Sequence, residues 1–380
     1  TYPNIDLQIA PTTKVVSKLE RISSGTTTLK QLYTYYGAVY NAEGLGFLGF
    51  KGMAISNWHT DYSDRIFNVS KYNTDLRGAI TDQYTLSNYF SFTVPSSNYI
   101  SKTTYQNSSS LSSNKVFKLW VTSSLTQNTL EGTNTNISYL YDAYNNPTKI
   151  TTDYLGTGSH VVDITYANST GSNYFIGRPT KQIETKTIGG ESFNTTKEFI
   201  YSGNLLTQFK QKGNNTPFNI ETYNYDAFGN IIKKTVTPNG ETAREIEFEY
   251  DTSGRFLTKS IGIEDLETTY EYNVNKGTLS KEINPFGQET AFTYDEWNRP
   301  IKVTDYLGND VTTSYVESNY SYTVTNSADD GGGAISIYDP LKRLTTSKEK
   351  DVLGQWISTS YQYDKFDRIW KSSEPYTGTG

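Results

Sequence analysis

Glu245-Ile246-Glu247-Phe248-Glu249-Tyr250-Asp251-Thr252-Ser253-Gly254-Arg255 is the stretch that decides the fold. Through Tyr250 its carboxylates and apolar groups alternate strictly, and successive side chains of a strand point to opposite faces. That period describes a half-buried strand, with Phe248 and Tyr250 sharing one face. Asp251 then stands where a turn begins, because its carboxylate can accept backbone N–H groups a few residues ahead. Gly254 supplies the left-handed backbone that closes the turn.

Outward from this segment the same signal returns. Tyr223-Asn224-Tyr225-Asp226-Ala227-Phe228-Gly229-Asn230 and Phe292-Thr293-Tyr294-Asp295-Glu296-Trp297-Asn298-Arg299 are close copies, as are Tyr361-Gln362-Tyr363-Asp364-Lys365-Phe366-Asp367-Arg368 and Tyr139-Leu140-Tyr141-Asp142. The second aromatic of each copy gives a series: Tyr141, Tyr166, Tyr201, Tyr225, Tyr250, Tyr272, Tyr294, Tyr315, Tyr338 (before Asp339) and Tyr363. Its steps are 21 to 25 residues, apart from 35 between Tyr166 and Tyr201. Between copies lies a second turn, which the sequence suggests is of different chemistry: Pro238-Asn239-Gly240, Pro285-Phe286-Gly287, Leu307-Gly308-Asn309 and Leu353-Gly354-Gln355. Each unit therefore reads as a β-hairpin laid beside the next. A lone hairpin is marginal in water, so the hairpins must stack into a long, curved sheet. The expected fold class is all-β.

Composition agrees with a wall more than with a globule. Of 380 residues, 32 are Tyr and 17 Phe, while the apolar fraction is 35%, below the globular norm. Tyrosine can cover a sheet face with a large amphipathic ring, which suits a thin core wetted on both sides. There is no cysteine, so stability must come from sheet area. No run of 18 apolar residues exists, so no membrane span is expected, and the net charge of −6 argues against a nucleic-acid partner. No signal peptide is visible, and the opening Thr1 suggests a mature product or a piece of a longer polypeptide. Ser101 to Ser138 is Ser/Thr/Asn-rich, and Asp329-Asp330-Gly331-Gly332-Gly333 reads as a mobile hairpin tip. The expected organisation is a β-strand region over 1–100, an insertion or long hairpin over 101–137 and the hairpin array over 138–380, with no linker dividing it.

The motif Tyr-x-Tyr-Asp-x-x-Gly-(Asn/Arg) resembles the Rhs or YD-repeat family, over about Ser138 to Pro375. The copies at Tyr166, Tyr201, Tyr272 and Tyr315 depart from it by lacking the Asp. The first hundred residues resemble the stretch preceding the repeats in B components of bacterial toxin complexes and their SpvB-like relatives. The matching segments are Leu19-Glu20-Arg21-Ile22, Tyr33 to Tyr40, Gly44 to Phe50 and Leu76-Arg77-Gly78. The resemblance implies hairpins wound into a hollow spiral shell around a C-terminal toxin, in a secreted or surface-exposed bacterial protein. It implies as partner the remainder of the same polypeptide or a cognate toxin chain. Related shells also occur on cell surfaces and in adhesion proteins.

Chemistry-bearing candidates have plainer explanations. Gly44-x-Gly46-x-x-Gly49 spells a dinucleotide fingerprint, but no helix pattern follows it, so close backbone packing of strands is expected there. Only His59 and His160 exist; with no cysteine, a Cys/His zinc site is excluded and a Ser-His-Asp triad is hard to assemble. Trp58-His59 is expected on a loop or strand face. Glu245, Glu247 and Glu249 mark a solvated face, and Asp142, Asp226, Asp251, Asp295, Asp339 and Asp364 recur at one turn position, which fits capping and not catalysis. Arg255, Arg299, Arg343 and Arg368 follow the turns and are expected to pair with the turn Asp of a neighbouring unit. Asp305-Tyr306-Leu307-Gly308 and Asp351-Val352-Leu353-Gly354 match the Asp-x-x-Gly pair that resembling C components use for self-cleavage. Both fall on regular turns, so self-cleavage is not expected.

The leading expectation is a non-enzymatic shell segment with no cofactor, enclosing a toxin or other cargo. An alternative is a surface adhesin or glycan-binding module, signalled by solvent-facing rings around Trp58, Trp120 or Trp297. A carbohydrate-active enzyme using a carboxylate pair ranks below both.

Overall fold

The computed structural model describes residues 3–7, 14–23, 27–318, 320–364 and 367–378. Lys365 and Phe366, inside the last motif copy, lie outside the described residues, as do Thr1 and Gly380. Among the described residues there are 29 strands, three short 3-10 turns and no α-helix. Among the described residues the strand pairs are antiparallel, and the fold class is all-β, as the alternation predicts. No helix is long and apolar enough to cross a membrane. Residue contacts group the chain into two compact units, one built mainly from Thr28–Asn204 and the other mainly from Asn219–Gly380.

In the first unit, Thr27–Asn41 pairs with Gly46–Ser56, which pairs with Ile66–Asn73, and so on in chain order. The Ser/Thr/Asn-rich segment forms a long hairpin, Ser101–Leu111 with Phe117–Asn128, and Thr133–Tyr141 continues the ladder. Here lies a dense core. Ala54, Phe67, Val69, Tyr84 and Leu86 are buried on one sheet face, and Phe92, Val94 and Tyr99 from the irregular segment after that face cover them. Gly52 makes room for this cover, since a Cβ there would meet the Phe92 ring at 2.6 Å.

The second unit is a meander in which each strand pairs with the next, from Asn219–Tyr225 through Trp356–Tyr363. Its only fully buried residue among those described is Ser358, at 3% exposure. Its rings are half-buried against their cross-strand neighbours, which is the thin core that so Tyr-rich and aliphatic-poor a sequence calls for.

Most motif copies also carry a β-bulge. Tyr225 opposes Ile231 while Asn224 opposes Lys233, leaving Ile232 without an opposite number. The same skip occurs at Tyr141, Tyr250, Tyr272, Tyr294, Tyr338 and Tyr363. The hairpin at Tyr315, which lacks the Asp, pairs without a skip through its turn end. A bulge raises the local right-handed twist, so the repeat dictates a periodic twist as well as a periodic turn.

Candidate functional site

The repeated turn is the most elaborate side-chain arrangement in the chain. In the copy at Asp142, Oδ1 accepts the backbone N–H groups of Tyr144 and Asn146, both at 2.9 Å. Its Oδ2 accepts Asn146 Nδ2 and, from a strand of the next hairpin, Asn168 Nδ2, again both at 2.9 Å. Asp226 holds Phe228, Asn230 and the Asn230 amide in the same way, and that amide also donates to Gly254 O at 2.8 Å. Desolvation pushes the Asp142 and Asp226 carboxyls up, but these bonds outweigh it and both end below the usual carboxylate range.

The third residue after each Asp is left-handed: Gly229 (φ 89°), Gly254 (φ 70°), Asn145 (φ 66°), Asn298 (φ 60°) and Lys342 (φ 61°). Glycine is thus the easy choice, Asn a tolerated one and Lys a strained one.

The arginines correct the sequence reading. Arg299 donates Nε to Asp295 Oδ2 at 2.7 Å, and Arg343 to Asp339 and Arg368 to Asp364 do the same, so each clamps its own turn. Arg343 does both, since its Nη1 also reaches Asp367 of the following hairpin at 2.7 Å. Arg255 departs because its turn is one residue longer: Asp251 N–H bonds to Phe256 O, and the guanidinium lies over the Phe256 ring at 4.9 Å. Ser253 Oγ fills the vacated place at 2.5 Å, which chiefly holds the Asp251 carboxyl down at about 2.

The motif tyrosines link hairpin to hairpin. Tyr166 Oη donates to Pro147 O at 3.0 Å, and Pro147 is the residue paired with Tyr141. Tyr363 donates to Leu344 O at 2.8 Å, and Leu344 is paired with Tyr338; Tyr315 donates to Pro300 O at 2.9 Å, and Pro300 is paired with Tyr294. Tyr225 and Tyr141 make the same bond to Leu206 O (2.5 Å) and Val121 O (2.7 Å). Arg299 and Arg343 stack on the next ring along, Tyr315 and Tyr363, at 4.3 and 4.9 Å.

One expectation about the turns is overturned. Asp305, Asp351 and Asn284, in the turns between hairpins, accept the N–H groups two and four residues ahead just as the motif Asp does, so their chemistry is the same. Of the four turns named, Pro238-Asn239-Gly240 differs, with Asn239 N–H held by Asn219 Oδ1 at 2.8 Å. The segment at Asp329 and Gly331 is tied down as well, by Ala328 N–H to Gly332 O and a reciprocal pair of bonds between Asp329 and Asp310.

Sequence reasoning also missed two copies. Tyr40-Asn41 and Tyr72-Asn73 carry the same register skip, and each Asn accepts backbone N–H groups from its own turn. Asn replaces Asp as acceptor; the legible signal was Tyr-Asx, not Tyr-Asp.

The other candidates resolve into structure. Gly44, Gly46 and Gly49 sit in the turn and strand start joining Thr27–Asn41 to Gly46–Ser56, with φ of 99°, 72° and 98°. A Cβ at any of them would meet nothing within 4 Å, so left-handed backbone, not close packing, requires them. His59 is buried beside Ser56, its Nδ1 3.0 Å from Asn57 O, and bridges to Lys30, while Arg21 covers Trp58 at 4.1 Å. His160 Nε2 lies 3.7 Å from Glu184, which Lys197 also holds at 2.9 Å. Among the described residues no cluster of three or more His, Asp or Glu could hold a metal.

Two faces and two rims remain in the second unit. One face carries the rings of Phe248, Tyr250, Tyr270, Tyr272, Phe292 and Tyr294. The other carries a charge ladder, in which Lys259 joins Glu249 (3.5 Å) to Glu267 (2.9 Å) and Lys281 joins Glu271 (3.6 Å) to Glu289 (3.4 Å). Such exposed pairs add little stability one by one. Where the motif fails, at Ser318 to Ser321, a groove of about 590 Å³ opens between Tyr322, Tyr338 and Pro340, with Glu317 and Lys342 in its lining.

The rims are the turns. Those following Tyr225, Tyr250, Tyr294 and Tyr338 share a rim that holds Arg255, Lys276, Arg299, Lys342, Arg343 and Arg368 together with Asp226, Asp251, Asp295, Glu296, Asp339, Asp364 and Asp367. The opposite rim, at 238–243, 262–266, 284–288, 305–309, 329–332, 351–355 and 373–375, holds carboxylates and no Lys or Arg.

This is an antiparallel hairpin-repeat array with recurrent side-chain-capped turns. No family model matches the sequence. The tRNA nuclease WapA of Bacillus subtilis strain 168 is 27% identical over 154 residues, 40% of this chain and 6% of that protein. The tRNA(Glu)-specific nuclease WapA of Bacillus subtilis subsp. natto strain BEST195 matches equally, so the chain spans a small fraction of these relatives. Among solved structures, that of TcdB2-TccC3 matches with a TM-score of 0.70 at 9% identity, covering 92% of this chain and 28% of that one. The structure of TcdB2-TccC3-Cdc42 matches with a TM-score of 0.68 at 8% identity. The fold is therefore the one these structures contain.

Proposed function

We propose that the chain is a non-enzymatic wall segment of a toxin-complex-like shell, secreted or surface-exposed, that encloses a polypeptide cargo. The observation that carries this reading is the fold match to TcdB2-TccC3 over 92% of the chain. The site chemistry is consistent with it: motif aspartates are consumed as turn caps, and rings and lysines as inter-strand links. The WapA relatives suggest a cargo further along the polypeptide, with the activity residing there. A wall of half-buried tyrosines and paired charges offers no deep apolar surface, so it would hold a chain loosely. Limited proteolysis of the full-length polypeptide tests this. A protected internal fragment, released only when the hairpin array is unfolded, is expected; free digestion of the downstream region refutes enclosure.

A second reading, a glycan-binding surface, draws on the Tyr322–Tyr338 groove, whose rings and carboxylate suit a sugar's apolar face and hydroxyls. Of the three tryptophans that would signal it, only Trp297 is largely exposed. A glycan array with no Tyr322-dependent signal would dispose of it.

A further inference from the structure

Two dipeptides of the sequence can cyclise through their own backbone: Asn239-Gly240 is its one Asn-Gly pair and Asp330-Gly331 its one Asp-Gly pair. The reaction needs the backbone nitrogen of the glycine to reach the side-chain carbonyl carbon before it. Glycine permits that approach, having no Cβ and wide backbone freedom. The structure treats the two pairs in opposite ways. At Asp330 both partners are held: Gly331 N–H donates to Ala328 O at 3.0 Å, and Asp330 Oδ1 accepts Gly332 N–H at 2.8 Å. At Asn239 neither is. Asn239 and Gly240 are the exposed central residues of a turn closed by Glu241 N–H to Pro238 O at 3.2 Å, with Gly240 at φ 74°. In such a turn the N–H of the second central residue takes no part in the closing bond. Among the described residues, neither Gly240 N–H nor the Asn239 side-chain amide has a hydrogen-bond partner.

We propose that Asn239 is a self-modification site, converted in the folded protein to a mixture of aspartate and isoaspartate. Gly240 N gives its proton to solvent and bonds Asn239 Cγ; the bond from Cγ to the side-chain nitrogen breaks, and that nitrogen takes up a proton and leaves as ammonia. Water then opens the resulting succinimide. Attack at Cγ gives Asp, and attack at the main-chain carbonyl gives isoaspartate, whose chain runs through Cβ and is one atom longer. The longer turn no longer matches its two fastenings, the Glu241 to Pro238 bond and the 2.8 Å bond from Asn239 N–H to Asn219 Oδ1 at the start of the preceding hairpin. The three Asn-Ser pairs, at Asn107, Asn168 and Asn326, all lie inside strands, where the ladder restrains the backbone.

Ageing the 380-residue protein at mildly alkaline pH, with peptide mapping by mass spectrometry and enzymatic methyl-labelling of isoaspartate, tests it. Each site is compared with itself in guanidinium chloride. Asn239 should convert at close to its unfolded rate, while Asp330 should isomerise about fivefold more slowly when folded, the factor expected of one hydrogen bond that must first open. Gly240→Ala adds its Cβ in open space and should leave circular dichroism unchanged, yet slow conversion at least about tenfold. Hydrogen exchange at Glu241 should speed up as isoaspartate accumulates. A fresh Asn239→Asp protein, which has the new charge without the extra chain atom, should exchange there like the parent. Folding that protects Asn239 as well as Asp330, isoaspartate arising first at another Asn, Gly240→Ala converting like the parent, or aged protein exchanging like fresh protein at Glu241 would overturn the proposal.

Discussion

Asp142→Ala is the sharpest perturbation of the repeated turn. The wild-type carboxylate accepts four bonds at 2.9 Å, two from backbone N–H groups and two from the Asn146 and Asn168 amides. The backbone pair resembles a helix N-cap, whose removal costs about 1 to 2 kcal/mol. The Asn168 bond crosses to the next hairpin and adds about 1 kcal/mol after discounting for partial exposure. Local opening should thus become easier by about 2 to 3 kcal/mol, or about thirty- to one-hundred-and-fifty-fold. Hydrogen exchange at Tyr144, Asn145 and Asn146 reads this directly, which suits an array whose global unfolding need not be two-state. Asp142→Asn should fall between: Oδ1 still accepts the backbone pair, and Asn146 can turn its amide oxygen inward, as Gln288 does towards Asn284 at 2.7 Å. The Asn168 amide is then left facing a donor, at a cost of about 1 kcal/mol. If the Ala variant exchanges like wild type, or Asn is as damaging as Ala, the capping argument fails.

Other outcomes follow from the same geometry. Gly354 has φ 77° and open space around its Cβ, so Gly354→Ala should cost about 1 kcal/mol from backbone strain alone, seen as a lower urea midpoint with unchanged slope. Tyr363→Phe deletes only the bond to Leu344 O and should cost about 1 kcal/mol, read as faster exchange between the hairpins it joins. Asp251 has its carboxyl lowered to about 2 in the folded chain, so its contribution is complete above the unfolded carboxylate pKa and is lost as pH falls towards 2; Asp251→Asn should flatten acid unfolding in that window. Tyr84 is pushed up to about 12, first by burial, so its contribution is present below pH 10 and lost between 10 and 12. An alkaline melt that begins elsewhere and leaves Tyr84 protected would contradict that.

Much of this was legible because the repeat is local. Alternation in Glu245 to Tyr250 set strand and face, and Tyr-Asp followed by Gly set the hairpin ends, since turn chemistry depends on residues four apart. The Asn41 and Asn73 copies escaped notice because Asn performs the same acceptance without spelling the motif. The sense of the arginine clamp escaped too: an Arg four residues after an Asp can close its own turn or reach the next, and only the turn length, one residue longer at Asp251, decides which.

By itself, then, the sequence determined the hairpin, its period and its two unlike faces, because these arise from side-chain alternation and backbone preferences over a dozen residues. Tertiary structure alone decided what lies across from what. It placed Tyr166, Tyr315 and Tyr363 under the carbonyl opposite the preceding motif tyrosine, and buried Phe67 and Leu86 beneath Phe92. Those are distances between residues some twenty positions apart, fixed only when neighbouring strands choose their register.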